Sequence, residues 1–120
     1  MRKYTRMVCW VTAETKNEIL KIAGDLPIVF ADNYKDFRNT ISNDSYLAAG
    51  LSVAYNNLDN FKLLLRDFSN KIRLICDDQS EWSQCFQDVG EEYNQVIKKI
   101  DVFTTPLLVK DFQKRTGDND

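Results

Sequence analysis

Apolar and polar positions alternate along this chain in blocks. Met7 to Val11, "MVCWV", is a continuous apolar run rich in β-branched and aromatic side chains, the pattern of a strand buried on both faces. In "TAETKNEILKIAG" the period changes. Ile19, Leu20, Ile22 and Ala23 make one helical face, Thr15 and Glu18 make a capping box, and Gly24 is a stop. "PIVFA", Pro27 to Ala31, predicts a second buried strand. "DNYKDFRNTI" predicts a short helix capped by Asp32 or Asn33, with Tyr34, Phe37 and Ile41 inward, and "SNDS" a loop.

The second half repeats the scheme. "YLAAGLSVA" predicts a third strand, and Gly50 inside it points to a close approach by a neighbouring element. A helix capped by Asn56 or Asn57 carries Leu58, Phe61, Leu64, Leu65 and Phe68. "KIRLIC" predicts the fourth strand. "DDQSEWSQCFQDVG" predicts a helix starting near Asp78 or Ser80, with Trp82, Cys85, Phe86 and Val89 at helical spacing and Gly90 as its stop. "YNQVIKKI" holds the expected fifth strand. In "TTPLLVKDFQKR", Thr105 is the expected N-cap and Pro106 the first helical residue, with Leu107, Leu108 and Phe112 inward. Five strand–helix alternations with short links predict an α/β fold whose parallel sheet is covered on both faces. The domain is expected over 1–113. The polar segment 114–120 reads as a tail or the start of a linker.

Composition narrows the function classes. The chain has 120 residues, 43% hydrophobic and 28% charged, which suits one soluble domain. The net charge of −2 argues against a phosphate-tracking surface, so no direct nucleic-acid partner is expected, and Lys98-Lys99 and Lys114-Arg115 read as solvated surface pairs. There is no histidine, which removes Ser-His and Cys-His catalysis. The 3 cysteines, Cys9, Cys76 and Cys85, have no C-x-x-C spacing and read as small hydrophobes in a reducing compartment. No metal and no cofactor are expected. The first apolar run is too short for a signal peptide or a membrane span, so the expected location is cytoplasmic.

Residues 52–64, "SVAYNNLDNFKLL", carry a resemblance. The chain resembles the receiver domain of bacterial response regulators in two-component signalling, where an Asp ends strand three and a Pro, an Asp-Gly pair and two Leu follow. Here Leu58, Asp59, Phe61, Leu63 and Leu64 keep their places, with Ser52 at the phosphoacceptor position, Asn56 at the Pro and Asn60 at the Gly. The resemblance implies a (βα)5 doubly wound, flavodoxin/receiver-like five-stranded sheet in the order 2-1-3-4-5. It also places Thr12 and Ala13 at the family's acidic pair, with Glu14 just beyond. Cys76 or Asp77 falls at the Thr/Ser ending strand four, and Lys98 or Lys99 at the Lys ending strand five.

On that alignment phosphorylation chemistry fails. It needs a carboxylate nucleophile and a divalent cation on hard oxygen ligands, and Thr12, Ala13 and Ser52 supply neither. A residual pocket would hold Glu14, Asp59, Asp77 and Lys98. The expected function is a non-catalytic, phosphorylation-independent pseudo-receiver that acts by protein–protein interaction. Its partner would be a kinase, a regulator, its own output domain, or a second copy meeting it through the fourth helix, fifth strand and fifth helix. Trp82, Tyr93 and Phe103 are the interface candidates, whereas Phe86 and Phe112 suit the core. The alternative is a flavodoxin-like small-ligand-binding or enzymatic domain using the crevice at the strand C-termini.

Overall fold

The computed structural model of the chain describes residues 5–42, 47–51 and 58–117. The elements run β1 (Arg6–Trp10), α1 (Ala13–Ala23), β2 (Ile28–Phe30), α2 (Tyr34–Ser42), β3 (Leu47–Leu51), α3 (Leu58–Phe68), β4 (Ile72–Ile75), α4 (Gln79–Asp88), α5 (Glu91–Ile97), β5 (Val102–Phe103) and α6 (Thr105–Gly117). The strands pair in parallel in the order β2-β1-β3-β4-β5.

The expected (βα)5 flavodoxin/receiver-like chain is corrected. Two helices, α4 and α5, follow one another between β4 and β5, so the alternation breaks there. The segment expected as the fifth strand, "YNQVIKKI", lies largely in α5. Gly90 precedes α5 at φ 91°, and Glu91 and Glu92 fill its first turn, where carboxylates meet the positive end of the helix dipole. The strand itself is the two residues Val102–Phe103, held by Leu74 N–H to Asp101 O at 3.0 Å and Cys76 N–H to Phe103 O at 2.8 Å.

Side-chain alternation along β1 builds two cores. Met7 and Cys9 point to one face, with Ile19 of α1 and Leu108, Val109 and Phe112 of α6. Val8 points to the other, with Phe37 and Ile41 of α2, Phe61, Leu64 and Leu65 of α3, Cys85 of α4, Val89 of the link after it and Ile97 of α5. At about 25 cal/mol per Å² of apolar surface, such side chains each contribute roughly 1.5–3 kcal/mol on burial. Gly50 in β3 sits tightly against the Cys9 side of the core. A Cβ there would stand 2.9 Å from Cys9 Sγ and 3.2 Å from Leu108 Cδ2.

Several local expectations are settled in detail. The N-cap of α1 is Thr12, not Thr15. Of the two caps expected for α2, Asn33 fills the role, and its Oδ1 accepts from Asp36 N–H at 2.9 Å. On α6, Val109 takes the inward place expected of Leu107, which is 53% exposed. That helix runs on through Gly117, into the segment expected as a polar tail, with an Arg115–Asp111 ion pair of 2.9 Å on its last turns. Among the described residues no helix is long and apolar enough to cross a membrane.

Candidate functional site

Parallel strands deliver their following loops to one end of the sheet, and the candidate residues mostly collect there. Thr12 leaves β1 and starts α1. Its Oγ1 accepts from the Thr15 N–H at 3.2 Å and donates to Thr15 Oγ1 at 3.1 Å, so its hydroxyl is used in capping. Ala13 opens the helix. Glu14 in the first turn of α1 and Asp59 in the first turn of α3 are exposed, each at the positive end of its helix. Ser52 lies outside the described residues.

Asp77, expected in a residual pocket, lies just past β4 and bonds the start of α6. Its Oδ1 accepts from the backbone N–H of Thr105 at 2.8 Å, and its Oδ2 accepts from the Thr105 hydroxyl. Thr105 is fully buried, so the carboxylate satisfies polar groups that would otherwise be stranded at the start of α6. The neighbouring Asp78 accepts from Ser80 N–H at 2.9 Å and Ser80 Oγ at 2.7 Å at the start of α4. Among the described residues no three acidic or thiol groups gather in a way that could hold a metal ion.

Lys98 is not at this end. It is the C-cap of α5 and precedes β5, because the segment once expected to be strand is helix. The chain leaves β5 through Thr104, Thr105 and Pro106, and Thr105 bonds Asp77. The interface candidates sit as follows. Tyr93 is half-buried against the α2–α5 core with Lys62 Nζ 5.7 Å from its ring centroid, and Phe103 is half-buried against the α1–α6 core. Trp82 belongs to α4, and its side chain lies outside the described residues.

Pattern reading missed a crevice of 250 Å³ between the ends of β1 and β2, lined by Trp10, Ala13, Lys16, Phe30 and Asp32. Lys16 Nζ sits 5.2 Å from the Phe30 ring centroid, and Trp10 leans on Tyr34 and Phe37 at centroid distances of 6.0 and 5.9 Å. Two signals pointed here. Lys16 is a charge set at helical spacing with Ile19, Leu20 and Ala23, and Asp32 directly follows a strand. A larger cavity of 400 Å³ lies at the far end of α3 and α5, beside Ser69, Asn70, Gln95 and Lys99.

The thiols offer no nucleophile in the core. Burial pushes Cys9 up to about 12, and burial together with the nearby Asp88 charge pushes Cys85 up to about 11. No protein-family model, no curated protein and no solved structure matches this chain.

Proposed function

We propose that the chain is a non-catalytic signalling or regulatory domain that works by protein–protein contact and without phosphoryl transfer. The observation that carries this reading is the commitment of Asp77. The carboxylate that lies at the mouth of the sheet bonds both polar groups of Thr105 and so acts as a structural clamp. A contact surface is available at the β5 side, where Val102 is 40% exposed and Leu107 of the adjoining α6 is 53% exposed. Apolar side chains of this size in the open favour a partner when they belong to one contiguous patch. That partner is a kinase, a regulator, an output domain or a second copy.

The test joins two measurements. Intact mass is read after incubation with acetyl phosphate and Mg²⁺, and sedimentation velocity is run over a concentration series for the native chain, Val102→Glu and Leu107→Glu. The expected results are an unchanged mass and a dimer that both substitutions weaken. A stable phosphoryl adduct overturns the non-catalytic reading. A monomer at every concentration removes the second copy and leaves a separate protein as the partner.

A further inference from the structure

We propose that the crevice between the ends of β1 and β2 binds a small zwitterion of the α-amino-acid class, with its carboxylate on Lys16 and its ammonium on Asp32. This goes beyond the regulatory reading and does not depend on it. The crevice holds one cation and one anion, and among the described residues they form no ion pair with each other. Among those residues Asp32 makes no hydrogen bond or ion pair at all, and the only partner of Lys16 Nζ is the face of Phe30. A ring face attracts an ammonium group but leaves its three N–H donors unspent.

Two opposite charges that share a crevice without meeting select for a ligand that bears both. A simple anion would satisfy Lys16 and leave Asp32 unmatched, and a simple cation would do the reverse. The size points to a small molecule. Drug-sized ligands occupy pockets of about 300–1,000 Å³, and at 250 Å³ this crevice falls below that range. The start of α1 adds to the carboxylate end. Thr12 fixes that helix terminus by capping it onto Thr15, and Ala13 lines the crevice, so the positive end of the dipole faces the same space as Lys16. The aromatic wall is held in place, because Trp10 is braced by Tyr34 and Phe37.

The test is an amide and indole N–H titration of the full chain by NMR with the common L-α-amino acids, each taken to about 10 mM, ten times a weak Kd of about 1 mM. Propionate and ethylammonium serve as single-charge controls, and Lys16→Gln and Asp32→Asn as variants. Both side chains are exposed and outside the cores, so the variants keep the fold, which their spectra report directly. At least one amino acid is expected to shift the Trp10 indole and the Ala13, Phe30 and Asp32 amides saturably. Each variant and each control should bind at least about tenfold more weakly. No saturable shift with any amino acid overturns the proposal. So does binding that both variants leave intact, or propionate binding as tightly as the best amino acid.

Discussion

Asp77 and Thr105 are 28 residues apart, and one carboxylate takes both the backbone N–H and the hydroxyl of the other. The bond ties the end of β4 to the start of α6. Asp77→Ala strands a buried donor and a buried hydroxyl, which costs about 1–3 kcal/mol. Asp77→Asn keeps one acceptor and should cost less. Urea midpoints rank the three proteins, and an unshifted midpoint for Asp77→Ala would show that water replaces the carboxylate without loss.

Gly50 admits no side chain without a shift in Cys9. Gly50→Ala puts a methyl 2.9 Å from Cys9 Sγ inside the core, and overpacking of this kind costs about 1–3 kcal/mol. Removing the obstacle should recover part of that. The double variant Cys9→Ala with Gly50→Ala is therefore expected to be more stable than the sum of the single losses, by about 0.5 kcal/mol or more. Strict additivity in a denaturation cycle would place the strain elsewhere.

Asp67 joins α2 to α3. It bonds Arg66 at 2.9 Å and Arg38 at 2.6 Å. The Arg66 bond and then the Arg38 bond hold its carboxyl down at about 2, below the ordinary 3.8. A depressed folded value contributes stability above the unfolded value, and that contribution is lost as pH falls from about 3.8 through about 2. Carboxyl carbon shifts should titrate near the lower figure in the native chain and move upward in Arg38→Gln. A midpoint that ignores this substitution would separate the two residues in solution.

The thiols differ in reach. Cys9 and Cys85 are buried, with raised pKa values, while Cys76 is half-exposed past β4. Iodoacetamide at mildly alkaline pH should modify Cys76 alone in the folded chain and all 3 in denaturant, as read by peptide mass. Early labelling of Cys9 would mean that the α1–α6 layer opens readily.

What could be read beforehand follows from length and locality. β1, β2 and β4 announce themselves as apolar runs, and α3 as a strong helical stripe. β5 does not, because two residues carry no period. At α5 two local signals compete. Tyr93, Val96, Ile97 and Ile100 fall at helical spacing, i, i+3, i+4, i+7, while the β-branched Val96, Ile97 and Ile100 also suit a strand. Taking residues 93–100 as strand then carried Lys98 to the wrong end of the sheet. Thr15 and Glu18 spelled a capping box, but Thr15 is buried under Thr12, so the helix begins earlier. Asp77 was located by position, whereas its partner was beyond any local pattern. Lys16 and Asp32 share a crevice only because β1 and β2 pair, which no local spacing reveals.

The sheet narrows from five residues in β1 and β3 to three in β2 and two in β5. Its open margins are thus too short to template a further strand, which protects the chain from ladder growth into fibres. Any self-association at the β5 side must then run through side chains such as Val102 and Leu107.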